Sequence, residues 1–242
     1  MGITTETAGP SRVRPRHVGS ALTPAAIGIG IVLAMVLIVV VDSTQFADAR
    51  WALPLSYLCV WIPLLGAIVV AGWAHGASFW RWLRFSVRGI DLIWGLGVGL
   101  LARTVASLIE ILGYGSIGSA GVRLGDTVYD AWWLFGALLA PVLLAPIIEE
   151  LFFRGLVLRA VYGRVAARWA APIAIAVSGL TFALMHLVAL DLSDLATVAV
   201  VGSSTLIFGL AAASLSLSTG RIGGAMIAHV TFNALVIVPA LL

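Results

Sequence analysis

Apolar residues fall in long blocks broken by short polar stretches, at about 21–41, 52–73, 91–112, 132–158, 169–190, 195–217 and 222–242. A helix needs about 20 such residues to cross roughly 30 Å of hydrocarbon. The pattern therefore predicts an all-α, polytopic transmembrane bundle of about seven spans. It divides the chain into a disordered cytoplasmic tail (1–20), N-terminal helices and loops (21–130) and a C-terminal helical core (131–242). Ala47-Asp48-Ala49 resembles a signal-peptidase site, but the preceding run is too long for a typical signal sequence. Between the second and third blocks, Phe79, Trp80, Leu83 and Phe85 alternate with Arg81, Arg84 and Arg88, which predicts an interfacial amphipathic helix over 77–90.

Composition agrees with that class: the chain is 61% hydrophobic and 10% charged, and its mean hydropathy is +1.10. All 14 basic residues are arginine. A net charge of +3 would suggest nucleic acid in a soluble protein, but these arginines cluster in loops and read as topology signals, so no nucleic-acid partner is expected. Arg12/Arg14/Arg16, Arg81/Arg84/Arg88, Arg159/Arg164/Arg168 and Arg221 occupy alternate loops. The opposite loops carry Asp42/Asp48, Asp126/Asp130 and Asp191/Asp194, with Arg50 and Arg123. The positive-inside rule then places the N-terminus in the cytoplasm, and a bacterial plasma membrane is the expected location. The single cysteine, Cys59, lies in an apolar run and reads as a packing residue.

Several residues do not belong in lipid. Ionisable groups at membrane depth cost a few kcal/mol or more unless they pair or line a wet cavity. Arg103 and Glu110, seven apart, read as a structural pair. Glu150 and Arg154 stand at i,i+4 with the acid first, the favoured order for a helix ion pair. Glu149 is turned about 100° from Glu150, so it faces elsewhere. Pro141 and Pro146 precede this pair and should distort the helix and free backbone carbonyls. His229 and Asn233, also i,i+4, share one face, and His186 lies in the fifth span. A hairpin folded at Arg164–Arg168 puts Glu149 and His186 at one height, about 13 Å below a boundary at Leu158 at 1.5 Å per residue. His229 comes to a similar depth. The three spans should therefore meet in the cytoplasmic half of the membrane, around a cavity open to that side.

Taken in order, Glu149-Glu150-x-x-x-Arg154, Phe182-x-x-x-His186 and His229-x-x-x-Asn233 resemble the CAAX protease and bacteriocin-processing (CPBP, or Abi) family, which includes the type II CAAX prenyl endopeptidases. The resemblance covers about 131–242; the first three spans match nothing specific. It implies an intramembrane endopeptidase whose partners are membrane lipid and a membrane-associated peptide or protein, prenylated or bacteriocin-like. It also implies roles: Glu149 as general base, with His186 holding a water; His229 and Asn233 as stabilisers of the oxyanion; Glu150 and Arg154 as a supporting ion pair. Glu149, His186 and His229 are equally a candidate ligand set for catalytic Zn²⁺, and the metal-bound and metal-free arrangements both stay open. Two other classes are compatible with buried carboxylates and histidines. One is a small proton-coupled transporter or channel, which needs a polar path across both leaflets. The other is a non-catalytic immunity or scaffold protein, which would tolerate loss of Glu149. Oligomeric state and substrate identity are not written in the sequence.

Overall fold

A computed structural model describes residues 19–43, 52–117 and 131–240. The expected tail, the loops bearing Asp48, Arg50, Arg123, Asp126 and Asp130, and the arginines before residue 19 lie outside these residues. Every regular element among them is helical. Seven segments are long and apolar enough to cross a membrane: Ala21–Val41, Leu53–Leu83, Ile90–Tyr114, Ala131–Tyr162, Ala167–Leu187, Leu195–Thr219 and Gly223–Ala240. They match the seven hydropathy blocks closely. We name the helices α1 (Gly19–Ser43), α2 (Ala52–His75), α3 (Phe79–Leu83), α4 (Ile90–Tyr114), α5 (Ala131–Tyr162, continuous but of mixed register), α6 (Ala167–Leu187), α7 (Leu195–Thr219) and α8 (Gly223–Ala240).

Large apolar side chains point outward, as lipid demands: Ile29, Ile93, Leu101 and Leu112 are all well exposed. The interior is built of small residues and phenylalanine, with Ala34, Ala71, Ala140, Ala174, Ala212 and Ala228 fully buried. Lipid gives little hydrophobic drive for helix association, so close packing and polar contacts must supply it. The α4–α8 crossing shows how. A Cβ added at Gly95 would lie 2.5 Å from Ile227, and one at Gly99 would lie 2.6 Å from the Ala228 carbonyl. Gly97, between them, faces open space. Gly99→Ala is therefore expected to push α8 away and cost about 1–3 kcal/mol by overpacking, whereas Gly97→Ala should be neutral or slightly stabilising. Thermal unfolding of the two variants in detergent checks this contrast.

Asp91 clamps the α7–α8 turn. It is fully buried, accepts from Arg221 Nε at 2.8 Å and pairs with Arg221 Nη2 at 2.7 Å. It also caps the Arg88 amide at 2.8 Å. The Asp91 carboxylate in turn holds the Arg221 guanidinium more firmly protonated than usual. Arg84 and Ser86 carbonyls accept the Ile222 and Gly223 amides at 3.2 Å each. These bonds explain why the amphipathic helix expected over 77–90 does not form. The helix is only Phe79–Leu83; Arg84 takes a left-handed conformation (φ 60°) and ends it, and residues 85–88 are irregular so that they can hold the turn.

Candidate active site

The helix carrying Glu149 is unusual. Within α5, Leu134–Leu144 and Leu151–Val157 are wound in the wider π register, with α-helical Ala145–Glu150 between them. In that register a carbonyl bonds the amide five residues on, as the Ala140 carbonyl does with Ala145. Proline has no amide hydrogen. Pro141 therefore orphans the Gly136 carbonyl, and Pro146 orphans the Pro141 carbonyl. Both are recovered from neighbouring helices: Tyr57 Oη of α2 donates to Gly136 O at 3.1 Å, and Asn233 Nδ2 of α8 donates to Pro141 O at 2.8 Å. Distorted backbone survives in lipid when such partners replace the lost bonds. Each bond also ties a flanking helix to the one that bears the carboxylates.

Glu150 and Arg154 form the expected i,i+4 pair at 2.9 Å, both side chains 0% exposed. The guanidinium lies among aromatic faces, 4.5 Å from the Phe182 ring centroid and 5.7 Å from that of Phe208, and Nη2 donates to the Gly209 carbonyl at 3.3 Å. Glu150 has a second partner that sequence reasoning missed: its Oε1 accepts from His229 Nδ1 at 2.9 Å. No spacing rule links positions 79 residues apart, so only the folded bundle reveals this bond.

These contacts fix both imidazoles. A carboxylate and a carbonyl can only accept. His229 Nδ1 faces Glu150, so it carries the proton. His186 Nδ1 donates to the Phe182 carbonyl at 2.8 Å. In their neutral forms both rings thus present a bare Nε2 lone pair, and both point at the same atom. Glu149 Oε2 is 3.9 Å from His229 Nε2 and 4.0 Å from His186 Nε2, and it is buried with no hydrogen-bond partner. Three of the four residues expected at the centre therefore converge. Asn233 does not join them; its contact is the Pro141 carbonyl.

Three lone-pair atoms facing one another call for a shared proton, a water or a cation. With both imidazoles neutral, two carboxylates stand against one guanidinium, and one added proton balances the cluster. Each imidazole donates its other nitrogen to a carboxylate or carbonyl, the support that zinc-bound histidines usually have. The spacing fits zinc less well. Bonds of about 2.0–2.1 Å in a tetrahedral site put ligand atoms about 3.3 Å apart, and no group of three or more His, Cys, Asp or Glu among the described residues is placed to hold a metal ion. A water at about 2.8 Å from each atom spans about 4.0 Å at a right angle and about 4.6 Å at the tetrahedral angle, so separations of 3.9 and 4.0 Å fall at the lower end of its range.

A cavity of about 190 Å³ reaches Glu149 and His186. It does not run to the arginine-bearing turns, as the sequence led us to expect. Ile38, Ser56, Met185 and His186 line it near the ends of α1, α2 and α6 that lead to residues 44–51 and 188–194. That is the opposite face. His186 is one residue from the end of α6, so the polar end of the cavity lies near that face.

Among known proteins, residues 131–235 match the family model described as type II CAAX prenyl endopeptidase Rce1-like. No curated protein and no solved structure matches the chain. The match begins with α5 and takes in the glutamate pair, His186, His229 and Asn233. It supports an integral-membrane CAAX-type protease in general and gives the motif resemblance independent weight. Over residues 131–235 the chain is similar to the Rce1-like family of type II CAAX prenyl endopeptidases.

Proposed function

We propose that this chain is an intramembrane endopeptidase that hydrolyses a peptide bond of a membrane-associated substrate with a water held by Glu149, His186 and His229. The observation that carries the reading is the convergence of two bare imidazole nitrogens on one buried, unpartnered carboxylate oxygen. Glu149 takes a proton from the water, and the hydroxyl oxygen bonds to the scissile carbonyl carbon. The carbonyl oxygen becomes an oxyanion. The one added proton that balances the cluster, carried on His229 Nε2 at this step, is donated to it, while Glu150 steadies the ring at Nδ1. Fixed donors in a dry site stabilise such charge strongly. The C–N bond then breaks, and the proton held by Glu149 passes to the departing amine. Glu150 and Arg154 do not touch substrate in this scheme; they hold His229 and α5 in place.

Zinc is the alternative centre. The same three atoms would be its ligands, and bound zinc would supply a Lewis acid and a more acidic water. A transporter would need a polar path across both leaflets, whereas the cavity described here reaches Glu149 from one side. The arginine distribution favours a cytoplasmic N-terminus in a bacterial plasma membrane, which puts the cavity on the outer face. Purified protein in lipid nanodiscs, offered tagged membrane-anchored peptides with and without a chelator, tests the reading. Chelator-insensitive cleavage is the expected result. Cleavage lost to chelator and restored by zinc would replace the water-only centre, and no cleavage of any peptide would remove the peptidase reading.

A further inference from the structure

Charge on the arginine-bearing face is unbalanced. Residues 79–91, 159–168 and 219–223 hold seven arginines and one acid, Asp91. That acid is engaged by Arg221 and by the Arg88 amide. Neither Arg84 nor Arg159 forms an ion pair among the described residues, and the two lie close enough to repel each other.

The fold brings them together. The Leu83 side chain packs on Gly155, one turn before Arg159, where an added Cβ would lie 2.8 Å from it. Arg84 follows with φ 60°, the only non-glycine residue at positive φ among the described residues, and its carbonyl accepts the Ile222 amide. Arg159 Nη2 reaches across to α7, where it donates to the Ser216 carbonyl at 3.0 Å and hydroxyl at 3.2 Å. Its Nε is buried with no hydrogen-bond partner. Two guanidiniums therefore meet where α3, α5 and α7 end, with no acidic side chain to balance them.

A phosphate has the charge and shape to do so, because the planar guanidinium fork matches its oxygens. The level is that of lipid headgroups: Leu83 and Tyr162 are the last residues of the second and fourth spans. Exposed rings flank the pair. Trp80 and Phe85 are 56% and 47% exposed, with centroids 5.5 Å apart, and Tyr162 stands near Arg159. Aromatic rings of this kind suit the boundary between headgroup and acyl chain.

We propose that Arg84 and Arg159 bind the phosphate of one anionic phospholipid, whose acyl chains run along Trp80 and Phe85. The site lies on the face opposite the one to which the Glu149 cavity leads, and it does not depend on the peptidase reading.

Native mass spectrometry of the full chain in detergent, titrated with phosphatidylglycerol or phosphatidylcholine, tests this. The first phosphatidylglycerol should bind about tenfold more tightly or better, the weight of a hydrogen bond to a charged group, because choline cancels the charge of its own phosphate. Arg84→Asn removes one guanidinium and keeps the left-handed turn, which asparagine enters readily. Arg159→Gln removes the other. Each should erase the preference, whereas Arg168→Gln, on the same face but set over Trp169, should retain it. If Arg159→Gln does not fold, Arg84→Asn and Arg168→Gln still decide. Preference kept in Arg84→Asn, or lost equally in Arg168→Gln, overturns the site. Displacement of the lipid by inorganic phosphate at a similar concentration would mean a soluble anion and overturns the lipid as occupant.

Discussion

Glu149→Gln is expected to lower peptide cleavage by about 10²–10⁴-fold, the contribution of a positioned general base, with the fold intact. Glutamine keeps the shape and cannot take the proton from water. The side chain is 14% exposed and faces the cavity, so removing its charge leaves no buried cation stranded. His229 keeps its bond to Glu150, and Arg154 keeps its ion pair. Unfolding temperature in detergent should therefore stay close to that of the wild type. A specific loss of rate at constant stability distinguishes a base from a scaffold residue.

Glu150→Ala should behave differently and fail on both counts. Arg154 is 0% exposed and would be left among Phe153, Phe182 and Phe208 without its counter-ion. Removing one partner of a buried pair costs about 3–5 kcal/mol, enough to cut the amount of folded protein sharply. His229 would also lose the acceptor that fixes its Nδ1 proton. The double variant Glu150→Ala/Arg154→Met separates the two effects. It removes both charges, so stability should largely return, whereas activity should not, because His229 remains unanchored. Thermal unfolding and cleavage rate, measured on the same preparations, give the answer. Recovery of activity in the double variant would contradict the role assigned to Glu150.

The fold was largely legible because hydrocarbon imposes a simple rule on each span. Seven apolar blocks became seven crossing helices with nearly the same bounds. The site was legible for a related reason: Glu149, His186 and His229 are costly in lipid, and their presence signals a shared pocket. Helical spacing also gave the Glu150–Arg154 pair correctly, as it did Arg103–Glu110, which meets at 2.6 Å. Contacts between distant stretches were not legible. Nothing local in Asp91 and Arg221 foretells their clamp, and that clamp is why 85–88 does not continue a helix. Pro141 and Pro146 foretold freed carbonyls but not the π register that makes Tyr57 and Asn233 their partners. Nor could the sequence show that α1 and α2 wall the cavity, since an apolar residue facing a cavity and one facing lipid read alike. The direction of the cavity was not legible either, because the void beside Glu149 is left by side-chain packing among α1, α2, α5 and α6.

A single turnover in ¹⁸O-labelled water tests most directly whether Glu149 activates water at this site. Substrate in modest deficit over purified protein should give a product whose new carboxylate carries one labelled oxygen, while the peptide containing Glu149 stays unlabelled by mass spectrometry. Label found in Glu149 would mean that the carboxylate itself attacks the peptide bond, and would contradict the account.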